Sequence, residues 1–178
     1  MPNIGEEICG EYLKNILNCE FVSYNITNQD IQGEIDVFGI NIQSRTIFIC
    51  EAATHTKGLQ YVTDKNPDDY NRFYQKFKKD IDYGMRYFAD YNIKVMLWSP
   101  IVAISRESAK YNTFKELQEL KKDIESQYGL ELELIINSKY QQCLNELKDF
   151  ALSHTAMFTS GLMRTFQIEK NLEKRGLS

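Results

Sequence analysis

Two apolar runs, RTIFICEAAT at 45–54 and IKVMLWSPIVAI at 93–104, are separated by one long amphipathic segment, and this arrangement limits the fold more than any other feature. From Asp68 to about Tyr91 the residues Tyr70, Phe73, Tyr74, Phe77, Ile81, Met85 and Phe88 recur at helical spacing, with Asp at the N-terminal end as helix starts prefer. Strand, helix, strand in that order makes a crossover, and a crossover joins parallel neighbours in one sheet. The second run is nearly continuous in apolar residues, as a strand covered on both faces requires, and it stops at Pro100 or just past it.

The elements around this unit complete an α/β pattern. Ile4 to Leu17 carries Ile8, Cys9, Tyr12, Leu13, Ile16 and Leu17 on one helical stripe. Phe21 to Ile26 is a short strand closed by the turn-rich TNQDIQG, and Glu34 to Ile40 is a second strand joined to Arg45–Thr54 through NIQS as a hairpin. An antiparallel hairpin beside a parallel crossover makes the sheet mixed. After it come a helix from Thr113 to Gln127, a strand in LELELIINS from Leu130, and two helices near Ser138–Leu152 and Thr159–Glu173. A chain of 178 residues suits a single domain with its own core, here about 4–104 followed by an extension over 105–178.

Composition narrows the function classes. Net charge is −4, which argues against an indiscriminate polyanion binder but leaves a local basic field open. Basic residues gather as KFKK at 76–79 and EKNLEKR at 169–175, patterns that also fit solvated helix faces. Cys9, Cys19, Cys50 and Cys143 are scattered without a CxxC pair, so they read as small, reduced core residues rather than metal ligands. No apolar stretch reaches membrane-span length and MPNIGEEICG lacks a signal-peptide pattern, so the expectation is a cytoplasmic protein with no membrane partner.

Each hairpin strand holds a carboxylate inside its apolar run, Asp36 beside Val37 and Phe38, and Glu51 beside Cys50. Burying a lone carboxylate costs several kcal/mol, on the order of 5, unless something compensates it. Residues two apart share a strand face, so Glu34, Asp36 and Phe38 point one way, as do Glu51, Ala53 and His55. Paired through the hairpin, Asp36 and Glu51 come close, and a hard divalent ion such as Mg²⁺ relieves their repulsion. The same spacing also fits a hairpin-capping Asp36 and a Glu51 paired with Arg45 or Lys57.

Taken together, GEEICGEYL at 5–13, GEID at 33–36 and FICEAATH at 48–55 resemble the PD-(D/E)xK nuclease superfamily, whose fold is the restriction-endonuclease-like αβββαβ core. The match is to branches reading GExxAxxYL, GEID and FVEVKTR, and it covers about residues 4 to 100. The resemblance implies Asp36 and Glu51 as catalytic metal ligands, the backbone carbonyl of Ala52 as a further ligand, and Glu6 as the acid supplied by the first helix. Glu6 sits at the edge of the apolar stripe, whereas Glu7 points away; the other role open to Glu6 is helix-start electrostatics. Glu34 is either an assistant to Asp36 or simply exposed.

The departure from the family pattern is its lysine. Two residues after Glu51 stands Ala53, so the signature reads E-x-A. His55 and Lys57 are the first expected substitutes in the catalytic set, with Lys76 and Lys78 on the following helix behind them. The resemblance implies a Mg²⁺-dependent phosphodiester hydrolase (Mn²⁺ substituting), an endonuclease of restriction, defence or repair type acting on DNA ahead of RNA. The loss of the lysine keeps open a catalytically impaired nuclease-like domain that binds nucleic acid or a protein partner, and an unrelated α/β protein in which the acids are coincidental. The tail segment FTSGLMRTFQIEKNL adds a homodimer to the expected partners, or else completes the core.

Overall fold

Residues 2–27 and 33–177 are described by the structure, a computed structural model, so most of the turn expected over TNQDIQG lies outside the described residues. Their order is α1 (Ile4–Asn15), β1 (Phe21–Ile26), β2 (Ile35–Asn41), β3 (Thr46–Ala52), β4 (Val62–Thr63), β5 (Asn66–Pro67), α2 (Asp69–Tyr87), β6 (Asn92–Ser99), α3 (Thr113–Tyr128), β7 (Leu132–Ile136), α4 (Asn137–Ser153) and α5 (Gly161–Lys174). The main sheet runs β1-β2-β3-β6-β7. Its first three strands are antiparallel, and β3, β6 and β7 are parallel, so the α/β class and the mixed sheet stand as expected.

Helices cover both faces. Against one face pack α1, α4 and α5, whose Leu13, Leu147 and Met163 join Val37, Cys50, Met96 and Trp98 of the strands. Against the other pack α2 and α3, whose Phe77, Ile81, Leu117 and Leu120 meet Val95, Leu97 and Leu132. Each such fully buried side chain contributes roughly 1.5–3 kcal/mol. All four cysteines are buried and unpaired, as their spacing predicted.

The crossover helix lies close against the sheet because of one glycine. A Cβ at Gly84 would press to 2.8 Å from Ile49 Cδ1 and 3.3 Å from Ile47 Cδ1, so α2 reaches β3 without a side chain between them. The other end of α2 is tied by Asp69, whose carboxylate accepts from Tyr61 N at 2.8 Å and from Thr113 Oγ1 at 2.7 Å. Helix α2 is therefore fixed at both ends over the hairpin that carries the two acids.

Helix α2 ends at Tyr87 rather than about Tyr91 and β7 starts at Leu132 rather than Leu130, while two other strand ends bear on the site. Strand β3 stops at Ala52 rather than Thr54, so the alternation that put His55 on the Glu51 face ends before reaching it. Strand β6 stops at Ser99 because Pro100 has no N–H for the ladder. The apolar remainder of that run is a connection, held by Asn137: its Oδ1 accepts from Val102 N and its Nδ2 donates to Val102 O, both at 2.9 Å. The hairpin β4–β5 was not anticipated; its turn residues Asp64 and Lys65 both take positive φ, at 50° and 61°, as a tight two-residue hairpin turn requires. Among the described residues no helix is long and apolar enough to cross a membrane.

Candidate active site

Pairing between β2 and β3 sets Val37 opposite Cys50, and one further step of that register sets Asp36 opposite Glu51. Both acids are buried, Glu51 completely. Asp36 Oδ2 accepts the backbone N–H of Ala52 at 2.9 Å, which ties the carboxylate of one strand to the end of the next. The sequence expectation that the two acids share a face and meet at one end of the sheet is what the geometry shows.

Between them lies Lys76. It is one turn along from Arg72 on α2, and its ammonium donates to Asp36 Oδ1 at 3.2 Å and to Glu51 Oε2. Glu51 Oε1 has no hydrogen-bond partner among the described residues despite being buried. Burial, then the Asp36 charge, pushes the Glu51 carboxyl well above its ordinary range, with Lys76 pulling the other way. Burial works against the Lys76 ammonium, but Glu51 and Asp36 outweigh it and raise its pKa. The lysine is thus held charged, the compensation that two buried carboxylates require.

Asp80, one turn beyond Lys76, was not singled out from the sequence. It is fully buried; its Oδ1 accepts from Lys79 Nζ at 2.7 Å and its Oδ2 is unpartnered among the described residues. Burial raises its carboxyl, while Lys79 and a hydrogen bond from a protonated Glu51 carboxyl pull it back; the two facing carboxyl oxygens are without a partner only while both acids are ionised. The available signal was its position in KFKKDI: on a helical wheel Asp80 falls between Lys76 and the Phe77–Ile81 core stripe, where a charge needs a partner.

A cavity of about 210 Å³ opens on this cluster, lined by Asp36, Glu51, Ala52, Ala53, Tyr61, Arg72, Phe73 and Lys76. Ala53, where the resemblance calls for lysine, forms part of the wall, and Lys76 supplies an ammonium from the opposite side. Across the mouth the Arg72 guanidinium lies 4.4 Å over the Tyr61 ring. His55 touches the site only indirectly, through Nε2 and the Tyr61 hydroxyl at 3.0 Å. Lys57 is exposed on the turn after β3 and does not line the cavity, and Lys78 faces the neighbouring trough along α2.

Glu6 is buried, but its carboxylate is occupied elsewhere. Its Oε2 accepts from Asn3 N at 3.0 Å and Asn25 Nδ2 at 3.2 Å, and Oε1 accepts from Asn3 Nδ2. With Asn3 Oδ1 accepting from Gly5 N and Glu6 N, this is a capping box closing the start of α1. Asn25 takes φ 50°, which turns its side chain toward α1 although Tyr24 beside it also faces that helix. Glu7 is met by Ser160 Oγ at 3.4 Å, and Glu34 is exposed, with its backbone carbonyl accepting from Lys79.

The donor set fits a hard divalent cation. Mg²⁺ is commonly held by one or two carboxylates plus waters and substrate phosphate, and Asp36 and Glu51 offer carboxylate oxygens, one of them an orphan. Among the described residues no three acidic, histidine or cysteine side chains converge as a ready-made metal cluster, so the candidate site is this two-carboxylate one. Comparison with family models, with curated proteins and with solved structures finds no match to this chain. Its reading rests on the geometry and chemistry of the site itself.

Proposed function

We propose that the chain is a Mg²⁺-dependent phosphodiester hydrolase acting on DNA, a variant of the PD-(D/E)xK design in which the lysine comes from the crossover helix. The observation that carries this reading is Lys76 bridging Asp36 and Glu51 at the end of a mixed sheet. The order α1, three antiparallel strands, α2 and a parallel β6 supports the restriction-endonuclease-like core.

Asp36 and Glu51 would hold the cation, which when bound supplies charge neutralisation of the phosphate and a lowered pKa for a coordinated water. Lys76, on the cavity side of the acids, would turn from them toward the phosphodiester and orient the attacking water, the role the family gives to the ammonium that Ala53 lacks. Arg72 at the mouth is placed to neutralise a non-bridging phosphate oxygen. His55 would act by fixing Tyr61 rather than by touching the reacting atoms. In-line attack would leave a 5′-phosphate and a 3′-hydroxyl.

A second reading has its own observation. The Lys76 ammonium neutralises one of the two carboxylate charges of Asp36 and Glu51 without any ion, which favours a nuclease-like domain that binds nucleic acid without cutting it. Incubation with supercoiled plasmid and Mg²⁺ or Mn²⁺, against an EDTA control, separates the two. Metal-dependent nicking that Asp36→Asn abolishes supports the enzyme. Binding without nicking at any tested metal concentration favours the second reading.

A further inference from the structure

Helix α5 is covered on one side only. Met163 and Phe166 enter the core layer with Leu147 and Ala151 of α4. Arg164, Ile168, Leu172 and the C-cap Arg175 follow at steps of four, four and three, so they form an outer stripe. A groove of about 620 Å³ runs along that stripe and takes Met157 and Leu177 into its lining. Its far wall is the loop after α4, which is held in place. The buried Gln167 Nε2 donates to His154 O at 2.7 Å and to Ala156 O at 3.1 Å, and the His154 ring packs on Phe150 and Phe158. Met157 is 70% exposed, Leu177 68% and Ile168 56%. Large apolar side chains left open together on one preformed concave surface mark an interaction site, where scattered ones do not.

The charge on this groove has one sign. Arg164, Lys174 and Arg175 line it, their side chains have no hydrogen-bond or ion-pair partner among the described residues, and no described Asp or Glu shares the lining. The acids of α5 are engaged elsewhere, Glu169 by Lys148 at 2.7 Å and Glu173 by Lys170 at 3.1 Å. Lys174 and Arg175 at the C-terminal end suit the helix dipole, but Arg164 stands at the end of the first turn, where the dipole disfavours a cation. Nothing within the chain offsets that cost. The two arginines are eleven residues apart, about 16 Å at 1.5 Å per residue, with Ile168 and Leu172 between them.

We infer that this groove receives an acidic amphipathic helix of a protein partner, lying along α5 with its apolar face on Ile168, Leu172 and Met157. Acidic side chains three turns apart on that helix would meet Arg164 at one end and Lys174 and Arg175 at the other, so charge fixes the register and apolar burial the affinity. A nucleic-acid backbone would leave the apolar side chains uncovered, and a flat bilayer surface does not enter a concave groove. A second copy using the same face would set each arginine against another, because an isologous contact repeats one patch on both sides. The inference goes beyond the nuclease reading and does not rest on it.

The test is fluorescence anisotropy with the full chain and a labelled helical peptide of Ala, Gln and Leu, its leucines on one face and two Glu residues eleven positions apart flanking them. Wild type should bind it saturably, with Kd below about 100 μM. Arg164→Glu with Arg175→Glu should weaken that binding at least about tenfold and, relative to wild type, strengthen binding of the same peptide with Lys for Glu by a similar factor. Ile168→Ser with Leu172→Ser should weaken both pairings about tenfold or more, with the melting temperature unchanged because both side chains are exposed. No saturable binding by wild type overturns the inference, as does equal affinity of the charge-reversed variant for the Glu peptide. Tighter binding of an oligothymidylate or of phosphatidylserine vesicles through the same residues also overturns it. So does a wild-type dimer in sedimentation that Ile168→Ser with Leu172→Ser dissolves.

Discussion

Lys76→Met removes the ammonium held between Asp36 and Glu51 while keeping much of its aliphatic stem. Breaking a fully buried ion pair by deleting one partner costs about 3–5 kcal/mol. Two features reduce that here: the Lys76 side chain is 39% exposed, and Glu51, already raised by burial, can take up a proton. A cost of about 1–3 kcal/mol in EDTA remains, or about 2–12 °C in melting temperature for a chain of this size. Its sign with pH is fixed. In the folded variant Glu51 keeps a proton that the unfolded chain releases above the ordinary carboxylate range, so the deficit widens as pH rises from 5 to 8. Metal affinity should move the opposite way, because the ammonium and a divalent ion contest the same oxygens. Relief of 1–3 kcal/mol corresponds to Mn²⁺ binding about 5- to 150-fold tighter. Single-turnover cleavage should fall about a hundredfold even at saturating metal, as loss of a positioned proton-handling group does. Differential scanning calorimetry, Mn²⁺ titration and cleavage of a labelled duplex read the three effects. A variant as stable as wild type that binds Mn²⁺ no more tightly would refute the picture of one site shared by two cations.

Further outcomes follow from the same geometry. Asp36→Asn should weaken Mn²⁺ binding at least about tenfold, roughly 1.4 kcal/mol, by calorimetric titration. Glu51→Gln should gain stability relative to wild type as pH rises from 4.5 to 8 in EDTA, since above its raised pKa only the wild type buries the charge; parallel pH-dependent melts check this. Glu6→Ala should cost about 1 kcal/mol through the lost capping box, lowering the melting temperature by about 2–4 °C with Mn²⁺ affinity unaltered. Ala53→Lys combined with Lys76→Met should recover cleavage lost in Lys76→Met alone, because both positions line one cavity; no recovery would mean that the ammonium acts only from the helix.

The hairpin and its acids were legible because strand alternation is local: Asp36 and Glu51 fall on one face once the hairpin is drawn. The crossover was legible for a similar reason, its helix being long and strongly periodic. His55 and Lys57 were placed ahead of Lys76 because continuing β3 to Thr54 carried the same face to His55, whereas the strand ends at Ala52 and it is Lys76 that contacts the two acids. Lys76 meets the acids across packed layers, and that contact depends on Gly84 letting α2 settle on Ile47 and Ile49, a close approach that spacing does not reveal. Asp80 was hidden for the same reason: its neighbour Glu51 is on another element. Glu6 was ambiguous from the start, and its partner Asn25 owes its orientation to a positive φ that its residue type permits but does not demand.

The clamp of Asn137 on Val102 divides the chain by task. Every acid and cation of the candidate site precedes it, while α3, β7, α4 and α5, all beyond Val102, supply the outer strand of the sheet and much of its cover. The exposed connection at Arg106 is therefore a natural place to cut the polypeptide in two. A nick there severs no site residue from another, and β6–β7 pairing with the Asn137 clamp would hold the pieces together. The second piece then supplies the outer strand and the apolar cover that the first piece's sheet requires, and holds none of the candidate site's charged groups.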